Sequence, residues 1–132
     1  MKLKELLSEV CVLECTAALE TEIRDISFDS RTTQPGDLFV AVCGYESDGH
    51  RFIGMATEKG AAAVLCQRKP ETDVPYILVA DSRLALAQVS CAYFGYPARE
   101  LRMIGVTGTN GKTTTTTLIK HVLEQARGAK VG

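Results

Sequence analysis

Residues 105–121 read GVTGTNGKTTTTTLIKH: a short apolar lead-in, a Gly-rich turn, one lysine, five threonines, then apolar residues at helical spacing. A strand, a Gly-rich turn, Lys-Thr and a helix together form a phosphate grip. Inward backbone N–H groups of the turn meet phosphate oxygens, and the helix N-terminus adds partial positive charge. Lys112 is then the group that reaches the outer phosphates, and the Thr113 hydroxyl the one that ligates Mg²⁺. Gly108 and Gly111 supply backbone angles that a side chain forbids. The strict pattern G-x-x-x-x-G-K-[ST] fails, because Val106 stands where its first Gly belongs. Two blander readings compete. Asn110-Gly111 is a hairpin signal, but an amphipathic helix follows it where a second strand would be needed. The threonine run could be low complexity, yet β-branched residues are tolerated in a helix's first turns, where their hydroxyls serve orphan groups.

Other reactive residues are sparser. Asp29-Ser30-Arg31 forms a compact polar triplet, equally readable as a turn ending a strand, with Asp29 and Arg31 paired to each other. Cys11, Cys15, Cys43, Cys66 and Cys91 are odd in number and scattered, with no C-x-x-C, and His50 and His121 stand in no metal-ligand spacing. They read as plain thiols in a reducing compartment. His50 reads as scaffolding at a helix start and not as a catalyst. A net charge of −1, no Trp and 6% aromatic residues argue against a nucleic-acid surface. No stretch approaches the apolar length of a membrane span, and the N-terminus lacks the form of a signal peptide. A cytoplasmic protein is expected.

These residues need elements to hold them. Leu3, Leu6, Leu7 and Val10 predict an amphipathic N-terminal helix, followed by an ambiguous segment over 11–22. Ile26 and Phe28 alternate with polar neighbours, predicting a half-buried strand over 23–30. The runs at 38–43, 61–66 and 76–80 predict buried strands. Asp48 is placed to cap a helix over roughly 50–59, and Asp81 or Ser82 one ending near Phe94. Residues 101–106 predict a strand feeding the Gly-rich turn, and Leu118, Ile119, Val122, Leu123 and Ala126 predict a final helix stopped by Gly128. Strands alternating with helices point to an α/β fold with parallel pairing. The expected domain line falls at 1–81 and 82–132.

GVTGTNGKTTTT resembles the nucleotide loop of the Mur ligases, the ATP-dependent enzymes that build the peptidoglycan stem peptide. Independently, DSRTTQPGDLFVAVCGYESDGHRFI (29–53) is similar to the N-terminal UDP-binding domain of that family. The resemblance covers nearly the whole chain. Thr109 after Gly108, and Leu118-Ile119 after the threonines, bring it nearer to the tripeptide-forming members than to those adding D-Ala-D-Ala.

The resemblance implies a fold: a small UDP-binding α/β domain, then the opening strand, P-loop and helix of an ATPase domain. It implies ATP contacts at Gly108, Thr109, Asn110, Gly111, Lys112, Thr113 and Thr114, with Thr113 on Mg²⁺ and Lys112 the catalytic lysine. It implies UDP-MurNAc contacts at Phe28, Ser30, Tyr45, Glu46 and Ser47. The substrates implied are UDP-MurNAc-L-Ala-D-Glu and L-Lys or meso-diaminopimelate, joined through an acyl phosphate, with no nucleic-acid or membrane partner. Family members run through three domains, so this chain is expected not to turn over alone, and its P-loop arm is expected to be disordered, to dock onto its own first domain or to self-associate with a second copy. A non-catalytic UDP-sugar module with a vestigial P-loop, the N-terminal part of the D-Ala-D-Ala-adding ligase and a generic P-loop NTPase domain are the alternatives.

Overall fold

Runs such as Leu38–Ala41 and Ala63–Cys66 are apolar at every position, which suits strands covered on both faces. The computed structural model, which describes residues 1–44 and 47–132, shows such a sheet. Five strands, β1 (Val12–Cys15), β2 (Ile26–Ser27), β3 (Leu38–Val40), β4 (Ala63–Cys66) and β5 (Tyr76–Val79), lie in the order β1-β5-β4-β3-β2. The β2–β3, β3–β4 and β4–β5 pairs are parallel. The segment left ambiguous in sequence supplies β1, which pairs antiparallel with β5 through an irregularity between Val12 and Glu14. The sheet is therefore mixed, not wholly parallel.

Alternation along the strands divides the core. Leu38, Val40, Leu65, Ile77 and Val79 join Leu3 and Leu6 of α1 (Leu3–Leu6) and Ala85, Val89 and Ala92 of α3 (Ser82–Tyr93) in one cluster. Phe39, Val64 and Cys66 point the other way, onto Ile53 and Ala56 of α2 (Ile53–Glu58). A 3₁₀ turn, Gly49–Phe52, leads into α2. Its end follows the expected chemistry: Gly60, at φ +89°, closes the helix by donating to the Thr57 carbonyl. A Cβ there would also sit 3.2 Å from Pro35, which ties the Pro35-Gly36 turn to the same spot.

The chain packs as two compact units, Met1–Pro97 and Ala98–Gly132. In the first, Asp81 caps α3 by accepting from the Arg83 and Leu84 amides, as expected. Because α3 buries Ala85, Val89 and Ala92 beside Leu3 and Leu6, it packs with the sheet, whereas the sequence reading began a second domain at residue 82. The N-terminal helix is one turn long; Leu7 is buried beyond its end.

Phe28 departs from the predicted alternation. β2 is an edge strand that ends at Ser27, and Phe28, in the turn beyond it, is 67% exposed. Ser27 is the buried residue, its hydroxyl satisfied by Thr33 Oγ1 at 2.9 Å. In the second unit, helix α5 (Lys112–Arg127) forms as expected and stops at Gly128, at φ +61°. Residues 101–106 form no strand: no described segment hydrogen-bonds alongside them, and a ladder requires a partner. Between Pro97 and Glu100 the chain makes a short α4. No described helix is long and apolar enough to cross a membrane.

Candidate functional site

The Asp29-Ser30-Arg31 triplet folds on itself. Asp29 accepts from the Arg31 amide at 2.9 Å and from Arg31 Nε and Nη2 at 3.0 and 2.7 Å. Those side-chain bonds, and then the amide, hold its carboxyl at about 2, below the ordinary 3.8. The Asp29 carbonyl accepts from the Thr32 and Thr33 amides, which fixes the turn after β2. Ser30 is buried, its hydroxyl 3.4 Å from the Met55 sulfur, so it presents mainly backbone. Beside this turn lies a cleft of about 190 Å³ lined by Phe28, Ser27, Asp29, Thr32, Arg24 and Asp37. Asp37 is buried and accepts from Arg24 Nε and the Gln34 amide at 2.9 and 2.8 Å.

A depressed carboxylate contributes stability that is present above its unfolded value and lost as pH falls through its folded one. The Asp29–Arg31 pair is thus expected to be intact at neutral pH and to open between about pH 4 and pH 2. An NMR titration of the Asp29 carboxyl carbon should give a midpoint near 2, moving toward 3.8 in Arg31→Ala. An unshifted midpoint in that variant would show that the pair does not hold the turn.

The resemblance also implied UDP-MurNAc contacts at Tyr45, Glu46 and Ser47. Tyr45 and Glu46 lie outside the described residues. Ser47 is described: its carbonyl accepts the Gly44 amide at 2.8 Å, and its side chain is exposed. The approach is close enough that a Cβ on Gly44 would sit 2.6 Å from that oxygen. Below it, Asp48 accepts from the His50 amide at 3.1 Å and from His50 Nδ1 at 2.7 Å, and binds Arg68 through its other oxygen. His50 and Arg68 together press the Asp48 carboxyl well below the usual range, the His50 amide contributing most. Sequence reading saw Asp48 as a helix cap, which it is, but missed that Cys43 and Arg68 converge on it and that Gln67 meets its partner His50. Those positions are scattered along the chain; only the Asp48–His50 spacing hinted at an acid–imidazole pair.

The cysteines are all free thiols. Burial pushes the Cys66 thiol up to about 11, which makes it an inert core residue.

In the second unit the Gly-rich loop runs into α5. Gly108 has φ +142°, and Gly111, the residue before α5, has φ +76°, angles that favour glycine. Lys112 is the first helical residue, and its ammonium folds back onto the Gly108 carbonyl. Thr116 and Thr117 spend their hydroxyls on the Lys112 and Thr113 carbonyls at 3.0 and 2.8 Å, as helix filler does. Among the described residues, the Thr113 and Thr114 hydroxyls take no partner, and Thr109 and Asn110 are exposed. The loop thus presents amides, a lysine and two hydroxyls to solvent.

A model described as Mur ligase family, catalytic domain, matches residues 22–94, and one described as Mur ligase middle domain matches 106–132. The chain is 47% identical over 128 residues to the UDP-N-acetylmuramoyl-L-alanyl-D-glutamate–2,6-diaminopimelate ligase of Syntrophomonas wolfei, covering 96% of this chain and 26% of that protein. Among solved structures, the Acinetobacter baumannii UDP-N-acetylmuramoylalanyl-D-glutamyl-2,6-diaminopimelate–D-alanyl-D-alanyl ligase superposes with a TM-score of 0.70 at 29% identity. That match covers 94% of this chain and 28% of the other. The Thermotoga maritima MurF ligase in complex with ADP gives a TM-score of 0.58 at 34% identity, over 82% of this chain and 25% of that one. The chain therefore spans about a quarter of the length of the relatives it matches. With one family model covering more than half of its residues and a second matching the P-loop segment in the same order, this chain belongs to the Mur ligase family.

Proposed function

We propose that this chain is the UDP-sugar-binding and P-loop portion of an ATP-dependent amide ligase that extends UDP-MurNAc-L-Ala-D-Glu with meso-diaminopimelate. The single observation that carries the reading is the Gly108–Thr114 loop, with left-handed Gly111 at the start of a 16-residue helix and Lys112 as its first residue. A loop of that form binds phosphate through amides and one mobile cation.

In the full reaction the substrate carboxylate attacks the γ-phosphorus of ATP and ADP leaves. The amine of the diamino acid then attacks the acyl carbon, and phosphate departs as the amide forms. Lys112 swings from the Gly108 carbonyl to the transferring phosphoryl group and neutralises charge there. The Thr113 hydroxyl fits Mg²⁺, being a hard oxygen at the head of the helix. Bound Mg²⁺ would screen the phosphates of ATP. Phe28 offers an exposed ring against the uracil face, and the Ser30 backbone and Ser47 its polar edge. Functionally, residues up to about the α3 helix serve the UDP-sugar and the remainder serves ATP.

The choice of diaminopimelate is supported by the 47% identity to the diaminopimelate-adding ligase of Syntrophomonas wolfei. Calorimetric titration with UDP, and separately with Mg·ATP, tests the proposal on this chain. UDP should bind and ATP should bind more weakly. UDP binding with no adenine-nucleotide effect would favour a sugar-binding module with a vestigial P-loop, and no UDP binding would sink the reading.

A further inference from the structure

Cys43, Asp48 and His50 bring a sulfur, an oxygen and a nitrogen within 4.8 Å of one another, a grouping that suggests a metal site. Proton bookkeeping argues otherwise. The Gln67 amide donates to His50 Nε2 at 2.9 Å, and a backbone amide can only donate. Nε2 therefore carries the lone pair and the ring proton sits on Nδ1, where it donates to Asp48 at 2.7 Å. Nδ1 then has no lone pair for a cation, and the Arg68 guanidinium already occupies the other Asp48 oxygen.

We propose that His50, held as the neutral Nδ1–H tautomer, is a positioning residue for UDP binding: it fixes Asp48 and, through it, the adjoining Ser47. The inference rests on the UDP-binding reading above. The imidazole is 8% exposed and joins two separate parts of the unit. On one side, Nε2 is tied to Gln67, just past β4, whose side chain accepts from Ser82 Oγ at 2.7 Å and donates to the Ala80 carbonyl at 3.1 Å. That fastens His50 to the end of β5 and the start of α3. On the other, Nδ1–H holds Asp48, which bridges Cys43, and the Gly44 amide closes the stem on the Ser47 carbonyl. Arg83 Nε secures the opposite strand of the stem by donating to the Cys43 carbonyl at 3.0 Å. With the ring removed, Asp48 keeps Arg68 and its bridge to Cys43 but loses the tie through His50 to Gln67, and the stem that carries Ser47 is held by fewer bonds.

Two measurements on this chain test the proposal. Long-range ¹H–¹⁵N NMR of the His50 ring at neutral pH should show a protonated Nδ1 and an unprotonated Nε2; a proton on Nε2 would overturn the tautomer and the proposal with it. UDP titration should then show His50→Ala weakened roughly tenfold, the scale of one or two lost hydrogen bonds. His50→Gln can still accept from the Gln67 amide and His50→Asn can still donate to Asp48, so each should recover part of the loss. If His50→Ala fails to fold, those two variants carry the comparison. Wild type binding UDP while the variants bind it equally well would overturn the proposal. Wild type that does not bind UDP would instead overturn the UDP-binding reading on which it rests.

Discussion

Leu65→Ala is expected to lower the unfolding free energy of the Met1–Pro97 unit by about 3 kcal/mol. Leu65 is fully buried on the central strand, in register with Val40 of β3 and Ile77 of β5. Truncation there removes apolar area and leaves a cavity between the sheet and the α1 and α3 residues packed on it, which cannot fully close. A domain of this size is stable by only about 5–15 kcal/mol, so the loss is a large fraction of the whole. Urea denaturation should show a clear fall in midpoint. Leu118→Ala in α5, at a residue 60% exposed, should move the transition by less than about 0.5 kcal/mol. Equal effects at the two positions would mean that the sheet does not hold the core described for it.

Lys112→Ala is expected to weaken Mg·ATP binding by roughly 10- to 100-fold, the equivalent of losing one hydrogen-bonded charge worth about 1.5–3 kcal/mol. On the proposed reading the ammonium is the one mobile cation of the loop, and its present bond is only to the Gly108 carbonyl. Removing it leaves the amides and the helix N-terminus, which retain some phosphate affinity. Circular dichroism should be unchanged, because Lys112 is exposed and buries nothing. UDP affinity should also be unchanged. ATP binding equal to wild type would remove the loop from the proposal, while loss of UDP affinity would point to a general folding defect.

The elements that place the site were readable where one local cause dominates. Asp81 before an apolar helix, Asp48 before Gly49, and the continuous runs of β3 and β4 each carry their own explanation, and the structure follows them. Reading failed where the cause is tertiary. Phe28 lost its strand because β2 is an edge only two residues long. The predicted strand over 101–106 has no described partner to pair with. β1 could not be seen, because its burial alternates while its residues do not: Leu13 takes an exposed position and Glu14 a half-buried one. The Gly-rich loop that opens α5 was legible since all of its parts are contiguous. The His50 hub was not, since Cys43, Asp48, Gln67 and Arg68 meet only when β4 lies beside the loop that follows β3.

Amide chemical-shift mapping of this chain during titration with UDP-MurNAc-L-Ala-D-Glu tests the central claim most directly. Perturbations are predicted at Phe28, Ser30 and Ser47, with α2, β1 and the Leu3–Leu6 helix unmoved. Shifts confined to other surfaces, or no shifts at saturating ligand, would contradict the assignment of this unit to UDP-sugar recognition.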